Sequence, residues 1–141
     1  MRVVLDPNVI ISAALSPGGT PARAYELWRR GAFDLVVSPV LLWELEGVLR
    51  REKFAELLHP DEINQLLSVL HADAVLLSDP DDVPEIRSAD PDDDYLIALA
   101  GETRSVLVSD DSDLLDLLDQ IPVYSPAEFL ALLEDSNDHR T

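Results

Sequence analysis

The sequence contains no cysteine and no long apolar run. The absence of cysteine excludes disulfides, thiol catalysis and thiolate metal sites, and it leaves carboxylates and three histidines as candidate metal ligands. No apolar stretch approaches the roughly 20 residues of a membrane span, and no basic region followed by an apolar signal core opens the chain. We therefore expect a cytoplasmic protein that does not associate with membranes.

Basic side chains are scarce: ten Lys and Arg stand against 28 Asp and Glu, for a net charge of −18. This balance argues against a protein that holds nucleic acid on a broad basic surface. Residues 1–53 carry seven basic and six acidic side chains, whereas residues 54–141 carry three and 22. A polyanion would approach the N-terminal half, or cations held by acids of the other half. A solvated acidic surface that keeps the protein soluble accounts for most of these acids.

Short apolar segments alternate with amphipathic ones that open on a capping residue followed by proline, a pattern typical of helix starts. Strands are predicted at residues 2–5, 33–37, 74–77, 105–109 and 121–124. Helices are predicted at residues 9–15, 20–30, 40–51, 54–58, 60–71, 91–103, 110–119 and from 126 onward. This alternation predicts a three-layer α/β/α domain over residues 1–133, with a central parallel sheet of about five strands. Residues 134–141 are expected to form a polar tail.

Acidic residues recur where strands end and where helices begin. Asp6 follows the first strand, and Asp111 with Asp113 follows the fourth. Glu44 lies in the helix after the second strand, at the edge of its apolar stripe, and Asp94 lies in the first turn of a later helix. Because crossovers between parallel strands are right-handed, the strand ends collect on one edge of the sheet, where ligands bind. These acids can therefore converge.

Several carboxylates in one cleft repel one another unless a cation lies among them. Oxygen ligands without cysteine or a histidine pair favour Mg²⁺ or Mn²⁺ over zinc. Such ions orient an attacking water and stabilise the leaving oxygen during phosphate-ester hydrolysis. The pattern thus indicates metal-dependent phosphodiester hydrolysis, with Asp6, Asp94 and Asp111 as ligands. Glu44 and Asp113 would bind a second ion or its waters.

Each acid also has a purely structural interpretation. Asp6 and Asp111 have the positions of turn formers or N-caps. Asp90, Asp92 and Asp93 are accounted for as cap and helix-dipole partners, and of these only Asp93 is expected to support the site.

Other polar and aromatic residues are assigned by their position. Asn8, two residues after Asp6, could orient that carboxylate or a bound water. Trp28 and Trp43 lie on apolar helix faces, so we expect core or dimer contacts from them. The three histidines have no ligand spacing and are expected at the surface or in helix caps.

Four segments in this order and spacing resemble the PIN domain, and more narrowly the bacterial group described as toxin components of toxin–antitoxin systems. The segments are residues 6–13, 38–49, 90–100 and 108–115. The resemblance runs over residues 1–133, nearly the whole chain.

The resemblance implies a Mg²⁺- or Mn²⁺-dependent ribonuclease that cleaves RNA, forms a homodimer and is held in check by an antitoxin protein. It also implies a cluster of acids at the carboxyl edge of the sheet. It places the family's site residues at Asp6, Asn8, Glu44, Asp94, Ser109, Asp111 and Asp113.

Two positions depart from the family pattern. Pro7 stands where Thr or Ser is common, so a hydroxyl beside the first ligand is missing. Asp110 stands where Gly or a basic residue is usual, which adds a negative charge beside the site and disfavours RNA approach.

Two further functions compete with the nuclease. The fold could serve as a binding or regulatory module that retains metal without useful turnover, in keeping with the charge of −18. A receiver-type phosphotransfer domain also clusters acids at a strand edge, but it needs a Lys after a late strand. The only Lys in this chain is Lys53, which disfavours that interpretation.

Overall fold

The computed structural model describes residues 1–82 and 84–138. Within them the strands are β1 (Arg2–Leu5), β2 (Asp34–Val37), β3 (Val75–Leu76), β4 (Val106–Val108) and β5 (Val123–Tyr124). The helices are α1 (Pro7–Leu15), α2 (Thr20–Arg29), α3 (Pro39–Leu49), α4 (Pro60–Asp73), α5 (Asp94–Thr103), α6 (Ser112–Leu115) and α7 (Pro126–Asp138). Two 3₁₀ turns span Glu52–Phe54 and Pro91–Asp93.

The strands form one parallel sheet in the order β3-β2-β1-β4-β5. Val3 of the central strand pairs with Leu35 of β2 on one side and with Val106 of β4 on the other. The chain runs outward from β1 in both directions, and right-handed crossovers therefore place helices on both faces. The predicted three-layer α/β/α fold is confirmed. The strand order reverses between β1 and β4, and ligands bind beyond the carboxyl ends of strands at such a point.

The core is centred on β1, whose residues Val3, Val4 and Leu5 are buried on both faces of the sheet. Helix α1 packs on α2 and α3, while α5 packs on β1 and β4. Helix α1 starts directly after β1, and α5 packs against the same strand.

The two tryptophans have opposite environments. Trp28 of α2 is buried, with its ring edge-to-face on Tyr25 at a centroid distance of 5.4 Å. Trp43 of α3 is 79% exposed, so of its two expected roles the core contact is wrong, and the dimer contact stays a prediction. The buried stripe of α3 is formed instead by Leu41, Leu42 and Leu45, and position 43 projects away from it.

Three predicted helix starts carry the expected caps. The Ser38 hydroxyl accepts from the amide of Leu41 (3.2 Å) at the start of α3. Ser125 and Glu128 form the reciprocal capping box of α7. His59 caps α4 through a bond from the Asp61 amide to its Nδ1 (3.2 Å), which confirms the capping role expected for a histidine without metal partners.

Two helices begin at different residues from those predicted. Helix α2 is capped by Gly19 without a side-chain hydrogen bond, so Thr20 is its first helical residue rather than its cap. Helix α1 starts at Pro7 and not at Val9, because Asp6 already accepts the first helical hydrogen bonds, from the amides of Val9 and Ile10. Asp6 is consequently both the end of a strand and the cap of a helix.

One predicted helix is absent from the structure, and another is shorter than predicted. Residues 54–58 form no α-helix: the 3₁₀ turn Glu52–Phe54 is followed by turns that end at Leu58. A five-residue segment before His59 and Pro60 is too short to sustain an isolated helix. Helix α6 ends at Leu115 rather than near Asp119, and turns follow it.

The C-terminal helix α7 continues to Asp138, within the segment 134–141 predicted as a polar tail. Residues 139–141 of that segment, including His139, lie outside the described residues, and the division into domain and tail stays a prediction. Among residues 1–82 and 84–138, no helix has the length and apolar character needed to cross a bilayer.

Candidate functional site

Asp6 is the centre of the polar group at the carboxyl edge of the sheet. It follows β1, caps α1 and is only 4% exposed. Its Oδ1 accepts from the backbone amide of Asn8 (3.0 Å), and its Oδ2 accepts from the Ser109 hydroxyl (2.7 Å). Burial raises the pKa of Asp6 despite these two bonds, and the negative charges of Asp111 and Glu44 act in the same direction. The side chain of Asn8 is exposed, so Asn8 orients Asp6 through its backbone.

The segment after β4 brings Ser109 and Asp111 to Asp6. Ser109 is fully buried, and while its hydroxyl donates to Asp6, its oxygen accepts from the amide of Asp111 (3.0 Å). Asp111 caps α6, since its Oδ1 accepts from the amide of Asp113 (2.9 Å). Asp113 therefore contacts Asp111 through its backbone amide. One hydroxyl joins the ends of the two strands that flank the reversal of strand order.

Asp93 is the third carboxyl group of the cluster. Burial and the negative charges of Asp111, Asp6 and Asp90 raise the pKa of Asp93 from 3.8 to about 7. Its Oδ2 is enclosed and has no hydrogen-bond partner in the described part of the chain. A carboxyl oxygen of this kind indicates a missing cation or proton, because buried polar atoms are normally paired.

Asp94, the neighbour that sequence analysis chose as a ligand, has a different environment. Its Oδ1 accepts from the amide of Ser88 (2.9 Å), which ties the preceding loop to the start of α5. The charges of Asp111 and Asp6, by contrast, act on Asp93. The structure thus places Asp93 close to Asp6 and Asp111, whereas the Asp94 carboxylate holds the preceding loop. A direct metal contact by Asp94 stays a prediction.

Glu44 reaches the same edge from α3, where it is half-buried, in contrast to the exposed Glu46. Its partner across the cleft is Tyr95, a residue that the sequence analysis did not assign. Burial of the phenol and the neighbouring Glu44 carboxylate raise the pKa of Tyr95 well above its usual value. Tyr95 precedes a buried apolar run in α5, so its sequence context is typical of a core aromatic residue and gives no signal of a polar role.

The charges acting on Asp6 and Asp93 are all negative. Oxygen donors of this kind suit Mg²⁺ or Mn²⁺. Among the residues that the structure describes, no three acidic or imidazole side chains form a preassembled metal cage. A Mg²⁺ ion keeps most of its waters and binds through one or two carboxylates plus substrate phosphate, so Asp93 with Asp111 or Asp6 is a sufficient set. The unpaired Oδ2 of Asp93 supports this fit.

Comparison with known proteins gives consistent results for family and fold. A family model described as "PIN domain" matches residues 2–113. The uncharacterized protein MJ1680 of Methanocaldococcus jannaschii is 26% identical over 145 residues, which cover 95% of this chain and 92% of that protein.

Two solved structures share the fold. The crystal structure of PAE2754 from Pyrobaculum aerophilum superimposes with a TM-score of 0.65 and 18% identity, covering 95% of this chain and 89% of that one. That of VapBC2 from Rickettsia felis, bound to a DNA fragment from its promoter, gives a TM-score of 0.58 and 13% identity, covering 89% and 98%.

Proposed function

The chain belongs to the PIN domain family, and from this premise we propose that it is a Mg²⁺- or Mn²⁺-dependent endoribonuclease that acts as the toxin of a toxin–antitoxin pair. The family is one of nucleases, which hydrolyse phosphodiester bonds. The observation that carries the proposal is the cluster of Asp6, Asp93 and Asp111 at the reversal of strand order, where hydrogen bonds from the Asn8 amide, the Ser109 hydroxyl and the Asp113 amide hold Asp6 and Asp111.

In the proposed site, Asp93 with Asp111 or Asp6 would hold the cation. When bound, the ion supplies Lewis-acid activation of a water and stabilisation of the leaving oxygen. Ser109 and the Asn8 amide keep Asp6 in one orientation, since each occupies one of its carboxylate oxygens. Such fixed supporting bonds limit the reorganisation that the site needs when substrate arrives.

Glu44 lies near Asp6, where it would act on the attacking water. In this role it accepts the proton while the water oxygen bonds to phosphorus and the bond from phosphorus to the leaving oxygen breaks. Asp94 fixes the loop at Ser88, and Asp113 caps the helix behind Asp111. These two residues are proposed to support the site through backbone geometry.

The proposed partners follow from the charge of the cleft. An antitoxin would cover the cleft by placing an Arg among the carboxylates, because a guanidinium forms paired bonds with such groups. The homodimer and the cytoplasmic location are proposals as well. The dimer is supported by the resemblance, and the exposed Trp43 is available for such a contact.

A catalytically weak module that retains metal is the second candidate, and the net charge of −18 favours it. Much of the basic charge of the N-terminal half is taken up in ion pairs. Arg23 and Arg30 both pair with Glu26, Arg29 pairs with Asp73, and Arg50 pairs with Glu46. RNA phosphates would therefore compete with carboxylates for these side chains.

The test is cleavage of a mixed pool of structured and single-stranded RNAs by the purified protein with Mn²⁺, Mg²⁺ or EDTA. We expect cleavage with either ion, none in EDTA and none by Asp6→Asn. Asp34→Asn, at the exposed start of β2, is the matched control and should cut as the wild type does. Metal binding without cleavage of any RNA would favour the second candidate.

A further inference from the structure

Tyr95 carries a hydroxyl group for which the fold alone gives no reason. It is the second residue of α5, and its ring packs against the core. Its hydroxyl oxygen is enclosed and makes no hydrogen bond among residues 1–82 and 84–138. A buried hydroxyl without a partner is costly, whereas phenylalanine would fill the same space without that cost. The hydroxyl therefore calls for an explanation.

The groups around this hydroxyl are acidic. Glu44, Asp6 and Asp93 all act on it, and Glu44 does so most strongly. Asp6 already has two donors, the Ser109 hydroxyl and the Asn8 amide. The enclosed Tyr95 hydroxyl, which has no partner within the described ranges, thus lies close to the Glu44 carboxylate.

We propose that Tyr95 is a positioning residue, which donates a hydrogen bond to Glu44 and directs this carboxylate toward the cluster of Asp6, Asp93 and Asp111. The contact needs only a rotation of the half-exposed Glu44 side chain toward α5. Without this bond, Glu44 is held by its own helix alone and samples several rotamers. This inference rests on the proposed nuclease function for its catalytic consequence, whereas the proposed hydrogen bond between the two side chains does not depend on that function.

The contact is tested by a double-mutant cycle of Tyr95→Phe and Glu44→Ala, which removes the acceptor altogether, read as urea unfolding in EDTA. If the two groups are paired, their effects on the unfolding equilibrium constant are non-additive by at least about twofold. Additive effects overturn the proposal. Because this readout needs neither metal nor RNA, it decides the contact even if the protein cuts no RNA, in which case only the proposed function fails.

The positioning role is tested by kinetics on the RNA that the wild type cleaves. Tyr95→Phe should lower kcat by about tenfold with KM unchanged, as expected for removal of a supporting bond. In the Glu44→Gln background it should lower kcat no further. The matched control is Tyr25→Phe, whose charged neighbours are Arg29 and Asp73 and which should leave kcat unchanged. An unchanged kcat in Tyr95→Phe, or a further fall in the Glu44→Gln background, overturns the role.

Discussion

The Ser109 hydroxyl donates to Asp6 Oδ2 over 2.7 Å and thereby joins two residues that are 103 positions apart in the sequence. Both are buried, at the ends of the adjacent strands β4 and β1. Because the same hydroxyl oxygen also accepts from the Asp111 amide, Ser109 links two acids of the site.

Replacing Ser109 by alanine should therefore destabilise the protein. The change leaves a buried carboxylate oxygen and the Asp111 amide without their partner, and we expect a loss of about 1–3 kcal/mol in the free energy of unfolding. Urea unfolding measures this loss. Ser112→Ala, at the exposed first residue of α6, is the control and should change stability by less than about 0.5 kcal/mol. Equal stabilities of the two variants would contradict the linking role of Ser109.

The stability of the metal-free protein should depend on the Asp93 carboxyl. Its pKa rises from 3.8 to about 7 on folding, so the folded state holds this proton more tightly than the unfolded state does. The corresponding stabilisation is present at low pH and is lost as the pH rises through about 7. Asp93→Asn should consequently raise the Tm in EDTA at pH 8 and have less effect at pH 5.

Asp92→Asn is the matched control for this comparison, since Asp92 is exposed and adjacent. Thermal unfolding of both variants and the wild type at the two pH values provides the measurement. A lower Tm for Asp93→Asn at pH 8 would show that its charge is not a strain on the fold.

Asp93 and Asp94 should differ in metal binding. We expect Asp93→Asn to weaken Mn²⁺ binding by at least about tenfold, because Asp93 lies among the other acids. Asp94→Asn should weaken it less, because the Asp94 carboxylate accepts from Ser88 and an amide oxygen can do the same. Calorimetric titration of both variants gives the two affinities. The opposite order would return the ligand role to Asp94.

The two tryptophans offer a test of the packing. Trp28→Ala removes a buried indole and should cost about 3–5 kcal/mol of unfolding free energy. Trp43→Ala removes an indole that is 79% exposed, and in dilute protein it should change stability by less than about 0.5 kcal/mol. Urea unfolding compares them, and a large loss for Trp43→Ala at low protein concentration would show that position 43 is packed within the monomer.

The meeting of Asp6 and Asp111 could be anticipated from sequence because it depends on topology alone, whereas a role for Ser109 was implied only by the resemblance. An apolar strand that ends at Asp6, a second that ends at Ser109 and right-handed crossovers are sufficient to place both ends on one edge. The caps at Ser38 and Ser125 were also predictable, because a few neighbouring residues specify each of them.

The choice between Asp93 and Asp94 could not be made in this way. A continuous helix from residue 91 was predicted, whereas the structure has a 3₁₀ turn before α5 begins at Asp94. A 3₁₀ turn advances the chain by 3.0 residues per turn instead of 3.6, which changes the direction of each side chain in it. Three consecutive aspartates in a sequence do not show which of their side chains points toward the other acids. The polar role of Tyr95 could not be predicted for another reason. Tyr95 and Glu44 lie in different helices, and only the tertiary structure brings them close together.

The most direct test of the account is the rate of cleavage of one labelled RNA as a function of Mn²⁺ concentration, for the wild type and for Asp6→Asn. The account predicts no cleavage in EDTA, a rate that saturates at the Mn²⁺ concentrations where calorimetry shows binding, and no cleavage by Asp6→Asn at any concentration. A rate that is independent of Mn²⁺, or that is unchanged in Asp6→Asn, would contradict it.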